Sequence, residues 1–282
     1  MNKDYSEFVP DVTYELIQIK NLVANQEYQR RLSESQILKA VEEFDLQQIN
    51  PVKVSRRNGI NYVFDGQHTI EVVAAKSQSR ETPVWCMIYD GLKYEREAQI
   101  FAEQKKHTRA LVPYDTFKAH LESGSPKHLM IRDVVRSYGL EISSKKGPGC
   151  ICAIAAIVSI YDKYNVHVLD RCIRLCIGAW EGEQYSLTAN ILNGIARMVA
   201  AYGDTLKDDV FKEKLGVVPI KVLTRNAKER RPGSLGFAEA MVLFYNRKCK
   251  YRLSMKKLYA NNASDDDFDD DIDRGFDFGD ME

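Results

Sequence analysis

Ile60-Asn61-Tyr62-Val63-Phe64-Asp65-Gly66-Gln67-His68-Thr69-Ile70-Glu71-Val72-Val73-Ala74-Ala75-Lys76 decides how the first half of this chain folds. Residues 60–64 read as a strand and residues 70–76 as a helix, with Asp65-Gly66 as a tight turn between them. Such a turn gathers free backbone N–H groups and the positive end of a helix dipole at one point. That arrangement suits an anion, and the usual biological anion is a phosphate. Gln67, His68 and Thr69 add side-chain donors at the same place. Taken alone, the five residues also fit a plain turn in which Asp65 or His68 serves only as a cap.

The flanking elements alternate between strand and helix. Tyr14 to Ile19 forms a plausible strand. Ser33-Glu34-Ser35-Gln36 reads as a capping box, with the Ser33 hydroxyl accepting from the Gln36 N–H. The helix it opens carries Ile37, Leu38, Val41 and Phe44 on one face. Pro51 opens a strand with Val52 and Val54 facing inward. Asn58-Gly59 is a two-residue hairpin signal, because both positions tolerate positive φ. Residues 83–89 form a further strand, 94–104 a helix, and another helix begins near Pro113, which suits a first helical turn. Beyond Pro126 the pattern turns helical: a short helix around Ile131 ended by Gly139, then 151–164, 169–180, 187–202, 208–215 and 235–245. The expected fold class is an α+β N-terminal domain over residues 12–122 and an all-α C-terminal domain over 126–260. Residues 261–282 are Asp-rich with few apolar residues and are expected to form a disordered acidic tail.

Of the 282 residues, 44% are hydrophobic and 28% charged, a globular balance. No apolar run approaches the ~20 residues that span a bilayer. No basic region followed by an apolar core opens the chain, so a cytoplasmic location and no membrane partner are expected. Cys150-x-Cys152 and Cys172-x3-Cys176 lack zinc-ribbon or finger spacing, and Cys172 and Cys176 share a helical face. Core packing is the favoured reading and no metal site is assigned. His107, His120, His128 and His167 show no ligand spacing and receive no role.

The net charge of zero hides a polarity. Residues 263–282 hold ten acidic side chains and one basic, a net of −9, whereas residues 221–257 hold eleven basic and two acidic, a net of +9. Arg225, Lys228, Arg230 and Arg231 cluster before Pro232-Gly233. Arg247, Lys248, Lys250 and Arg252 follow, interleaved with Tyr245 and Tyr251. Basic residues neutralise nucleic-acid phosphate and aromatics stack on unpaired bases, so this block is the candidate nucleic-acid surface. A solvated helix face is the plainer alternative. The acidic tail, from Asp265 to Asp273, has the charge to compete for the same block.

Taken in order, Ile17 to Tyr89 resembles the N-terminal domain of the ParB/sulfiredoxin-like family. Tyr28-Gln29-Arg30-Arg31 stands where that family carries a Gln-x-Arg element. Pro51-Val52-Lys53-Val54 matches a strand that members often begin with proline. Asp65-Gly66-Gln67-His68-Thr69 stands at the Gly-Glu-Arg-Arg position of ParB partition proteins and the Gly-Cys-His-Arg position of sulfiredoxins, and looks closest to an Asp-Gly-Gln-His-Arg variant. Glu103-Gln104 through Arg109 is similar to a Glu-Asn-x-x-Arg element with shifted spacing. The resemblance spans about residues 14–122 and implies a small mixed sheet with helices. It also implies a nucleoside triphosphate, CTP or ATP, with or without magnesium, held by Gly66, Gln67, His68 and Thr69. Gln29, Arg30, Glu103 and Arg109 would support it, and Asp65 and His68 are the catalytic candidates.

Two departures shape the expectation. Sulfiredoxins place a nucleophilic cysteine after the glycine, where this chain has Gln67, so sulfinic acid reduction is not expected. The arginine that closes the related motifs is Thr69 here, a neutral hydroxyl in place of a charged fork. Arg56, Arg57 or Lys105 could supply that charge. The leading expectation is a nucleotide- and nucleic-acid-associated protein, DNA favoured, open to homodimerisation, acting in segregation, regulation or processing in a mobile element or phage. A nuclease or phosphotransferase centred on Asp65 and His68 is the second reading, and an interaction protein whose phosphate turn has lost its ligand is the third.

Overall fold

Alternating side chains in the first hundred residues build a five-stranded mixed sheet in a computed structural model that describes residues 5–24, 28–29, 32–103, 111–183 and 185–260. Its elements are β1 (Thr13–Gln18), β2 (Leu22–Ala24), α1 (Glu34–Glu42), β3 (Val52–Arg57), β4 (Ile60–Asp65), α2 (Gln67–Ser77), β5 (Pro83–Asp90) and α3 (Tyr94–Glu103). The strands lie in the order β1-β5-β3-β4-β2. Central β3 runs antiparallel to β4 and parallel to β5, while β1 and β2 join the outer edges antiparallel and parallel respectively. Asn58 and Gly59, at φ +52° and +76°, close the β3–β4 hairpin as their sequence requires.

The pleat sends alternate residues to opposite faces. Val52, Val54, Val63, Cys86 and Ile88 are fully buried and share a core with Ile70, Val73 and Ala74 of α2. Each such aliphatic side chain contributes about 1.5–3 kcal/mol of burial. Phe64, next along β4 from Val63, packs edge-on against Tyr89 with ring centroids 5.6 Å apart.

Helix α1 departs from its expectation in two respects. Ser33 is its N-cap residue, but the hydroxyl makes no capping bond and instead pairs with Ser35 Oγ at 2.9 Å. Leu38 is 65% exposed, and Phe44 lies beyond the helix, packed on the sheet core together with Ile49. The apolar face is therefore narrower than the sequence spacing suggested.

Contacts separate the chain into two units, Met1–Ala110 and Leu111–Glu282. The second is helical: α4 (Pro113–Glu122), α5 (Pro126–Ser137), α6 (Ile154–Tyr164), α7 (Val166–Trp180), α8 (Ala189–Tyr202), α9 (Asp208–Gly216), α10 (Ile220–Arg230), α11 (Gly233–Asn246) and α12 (Met255–Ala260). The helix expected from residue 151 begins only at Ile154. Cys150 and Ile151 form β7 and pair in parallel with β6, Glu141–Ile142. One continuous core runs through this unit, with α7, α8 and α11 at its centre. Cys172 and Cys176 sit in it, donating their thiols to the carbonyls of Leu192 and Ser186 at 3.1 and 3.2 Å. Burial pushes the Cys176 thiol up to about 12, which leaves it protonated and inert. Asn165 caps α7 by accepting from the N–H groups of His167 and Val168. No helix among the described residues is long and apolar enough to cross a membrane. Residues 261–282, the acidic segment, lie outside the described residues.

Candidate functional site

Strand β4 ends at Asp65, Gly66 takes φ +98°, and α2 begins at Gln67. Only glycine fits there. A Cβ at Gly66 would stand 3.1 Å from Val52 Cα and 3.2–3.3 Å from both Val52 methyls, on the central strand. The first turn of α2 leaves the amides of Gln67, His68 and Thr69 without intrahelical acceptors. Ile70 already donates to Gly66 O, and no side chain caps the helix among the described residues. Residues 65–69 are all half-buried, so the turn is supported from below and reachable from above.

Among the described residues, the cation paired at this turn is Lys53, which the sequence reading did not single out. It stands opposite Asp65 in the β3–β4 register, and its Nζ lies 3.2 Å from Asp65 Oδ2. The two side chains are 35% and 39% exposed, so both charges remain within reach of solvent. The spacing Val52-Lys53-Val54 could have found it. With both valines inward, the pleat sends Lys53 to the other face, beside the end of β4. The arginines expected to replace the missing motif arginine are engaged elsewhere. Arg56 makes a two-pronged contact with Glu15 at 2.9 and 2.6 Å and donates from Nε to Asn61, which holds the Glu15 carboxyl below the usual range. Arg57 lies 2.6 Å from Glu97. Lys105, Arg30 and Arg109 lie outside the described residues.

Gln29 is brought to the sheet. It is 9% exposed and its Nε2 donates to Val63 O of β4 at 2.6 Å, two residues before Asp65. Its Oε1 is buried without a hydrogen-bond partner among the described residues. Glu103 is exposed at the end of α3, and no hydrogen bond or ion pair ties it to the turn among the described residues.

A buried polar cluster beside β4 also escaped the sequence reading. Glu97 of α3 is fully buried, with Arg57 Nη1 2.6 Å from Oε1 and the Tyr28 hydroxyl donating to Oε2 at 3.4 Å. Among the described residues Oε1 has no directed hydrogen bond, so the Arg57 contact is ionic rather than aligned. Tyr28 packs edge-on against Tyr94 and Phe101, and burial with the nearby Glu97 charge pushes its phenol up to about 12. The signal was the spacing. Tyr94, Glu97 and Phe101 stand at i, i+3 and i+7, so the glutamate occupies the apolar stripe of its helix.

In the helical unit, the buried face of α10 is Ile220, Leu223 and Ala227. Lys221, Arg225 and Lys228 line its exposed side, and Arg230 is exposed at its end. Arg247, Lys248, Lys250 and Arg252 are exposed on the segment after α11, with Arg247 stacked over Phe244 at 4.2 Å. Two members of the expected surface are otherwise engaged. Arg231 pairs with nearly buried Glu239 at 2.9 Å and lies over the Tyr259 ring at 5.6 Å. Tyr245 is fully buried, its hydroxyl accepting from Lys207 N, so it cannot stack on a base. Tyr251, 52% exposed, retains that ability. No group of three or more His, Cys, Asp or Glu that could hold a metal ion occurs among the described residues.

No curated protein matches the chain. Among solved structures it is similar to the C-terminally truncated chromosome-partitioning protein ParB from Caulobacter crescentus complexed with CTP-gamma-S. The likeness has 9% identity over 82% of this chain and 99% of that chain, with a TM-score of 0.34, too low to bear on function. The model of a family of unknown function, DUF6551, matches residues 23–257, and the chain belongs to that family.

Proposed function

We propose that the sheet unit binds a phosphate-bearing nucleotide at the β4–α2 turn and that the protein associates with nucleic acid through the basic side of α10 and the segment after α11. The observation that carries the first half is the uncapped start of α2 at Gly66. Three backbone amides stand at that start together with the residues Thr69 and His68, and Lys53 reaches Asp65 just before it; a phosphate there would gain both hydrogen bonds and the helix dipole. The ordered resemblance to ParB/sulfiredoxin-like domains supports the same reading. CTP and ATP are the first nucleotides to test, and DNA is the favoured polymer. Binding ranks above catalysis because Asp65 is already an ion-pair partner of Lys53.

The test is calorimetric titration of the full chain with CTP, ATP and inorganic phosphate, with and without magnesium. Saturable binding that Lys53→Met weakens and Arg225→Ala leaves unchanged supports the reading. Absence of binding by all three ligands overturns it. For the polymer, affinity for duplex DNA should fall with log[salt] at a slope of about −0.9 per phosphate contact, and removing Arg225 and Lys250 together should flatten it.

A further inference from the structure

The five-stranded sheet ends on an open edge. Strand β1 pairs with β5 in an unbroken antiparallel register, from Thr13 opposite Ile88 to Gln18 opposite Pro83. Among the described residues its backbone makes no hydrogen bond beyond that ladder, so alternate N–H and C=O groups point outward unpaired. Sheet edges are ordinarily blunted by lysine, proline, a bulge or sheer shortness. The opposite edge, β2, is three residues long. Strand β1 has six, Thr13 to Gln18, with no lysine, proline or bulge among them. Its one charge, Glu15, is held by the two-pronged contact with Arg56.

The pleat adds a second feature. Ile17, Val84 and Cys86 belong to the core under α2. Tyr14, Leu16 and Trp85 alternate with them on the other face, with Leu16 directly opposite Trp85. On that face α3 packs toward β4, while these three stay exposed at the β1–β5 end. The segment that enters β1 is exposed from Tyr5 to Asp11 and carries Tyr5, Phe8 and Val9. Six of the sixteen large apolar side chains exposed among the described residues thus lie in this segment and the two strands beside it. Single exposed apolar residues are ordinary, but a group of them beside an unpaired edge marks an interaction surface.

We infer that this edge and face form an interface with a second copy of the chain, built by antiparallel pairing of β1 with its own counterpart across a two-fold axis. Antiparallel pairing of one strand with itself is isologous, so the same patch serves both copies. The axis keeps Tyr14, Leu16 and Trp85 of both copies on one side of the joined sheet. It also carries the segment entering β1 of one copy past the far end of β1 in the other. Within one chain the segment and the sheet face leave each other exposed, and a second copy covers both at once. The area suffices. At exposures of 55–76%, Tyr5, Phe8, Tyr14 and Trp85 each retain about 100–150 Å². Two copies would cover about 800–1,200 Å² of aromatic surface before Val9, Leu16 and the strand backbone are added, which reaches the ~1,000 Å² that a specific interface needs. The inference rests on register and exposure, independently of the β4–α2 turn.

Sedimentation velocity of the full chain over a range of concentrations tests it, with amide hydrogen exchange read at the same concentrations. A reversible monomer–dimer equilibrium is expected, and the amides of residues 13–18 should exchange more slowly as the dimer forms. Leu16→Lys places a charge on the apolar face and Trp85→Ser removes its largest side chain. Each should raise the dissociation constant by at least about tenfold while leaving the circular dichroism spectrum intact. Leu38→Lys, the same change at an exposed position of α1, should leave the equilibrium unaltered. A monomer at every concentration, which would leave the face to a partner of another kind, overturns the inference. So does a dimer whose residues 13–18 exchange at the monomer's rate, or equal weakening by Leu38→Lys and Leu16→Lys.

Discussion

Replacing Gly66 with alanine is the sharpest probe of the β4–α2 turn, because two separate costs meet there. The first is conformational: at φ +98° an L side chain is strained by roughly 1–2 kcal/mol. The second is steric. The new methyl would stand 3.1 Å from Val52 Cα, a backbone atom of the central strand that cannot rotate away. Overpacking of that kind costs about 1–3 kcal/mol. The expected loss is about 2–5 kcal/mol. Gly59→Ala supplies the control, because Gly59 also has positive φ, at +76°, but a Cβ there meets nothing within 4 Å. It should lose only the conformational part. Urea unfolding followed by fluorescence and far-UV circular dichroism reads both. With a slope of about 1–3 kcal/mol/M, Gly66→Ala should lower the sheet unit's midpoint by about 1 M or more, and clearly further than Gly59→Ala does. At a temperature where both variants are folded, Gly66→Ala should also lose nucleotide binding and Gly59→Ala should keep it. Equal midpoints for the two variants would refute the close-approach argument.

Arg57→Ala leaves the fully buried Glu97 carboxylate without its cation and should cost about 3 kcal/mol, the low end for a broken buried pair because Arg57 keeps 22% exposure. Replacing both residues with methionine should recover most of that loss in the same urea assay, and a single-variant loss under about 1 kcal/mol contradicts the reading. Burial, His120 and Lys127 hold His128 below the ordinary histidine value, with Asp162 pulling weakly the other way. The unfolded chain therefore takes up the proton first, so stability should fall as pH drops through ~6.5. Thermal midpoints at pH 7.5 and 5.5 should differ less in His128→Gln than in the natural chain. A chain ending at Asn262, without the −9 tail, should bind DNA more tightly at low salt in fluorescence anisotropy; unchanged affinity rejects competition by the tail.

The sheet was legible because its rules are local. Period-two alternation, the Asn58-Gly59 hairpin and the Gly66 turn each act within a few residues, and each stands where the spacing put it. What escaped was set by contacts far apart in sequence. Lys53 meets Asp65 through strand register, and Glu97 meets Arg57 and Tyr28 across a helix and a strand. Helix α10 read as a charge block because its buried stripe of Ile220, Leu223 and Ala227 is thin among cations. The same density made Arg231 and Tyr245 look available, although Glu239 and the core claim them. Local chemistry showed which residue types were present, and only the tertiary fold showed which were already spent.

Asp65 separates binding from chemistry at the turn. If the turn only binds phosphate, Asp65 works against the ligand twice, by holding Lys53 at 3.2 Å and by placing a negative charge beside an anion. Asp65→Asn removes both effects while keeping the side chain's size. Two charges about 4 Å apart in a solvated setting interact by about 1 kcal/mol in water and more where solvent is partly excluded. Nucleotide affinity in Asp65→Asn should therefore rise, by about three- to tenfold, in metal-free buffer. If Asp65 instead carries a magnesium ion or accepts a proton, the same substitution should weaken magnesium-dependent binding or abolish turnover. The direction of one titration, run with and without magnesium, thus decides which of the two roles Asp65 has. A weaker metal-free affinity in the variant would show that Asp65 orients Lys53 toward the phosphate rather than holding it away.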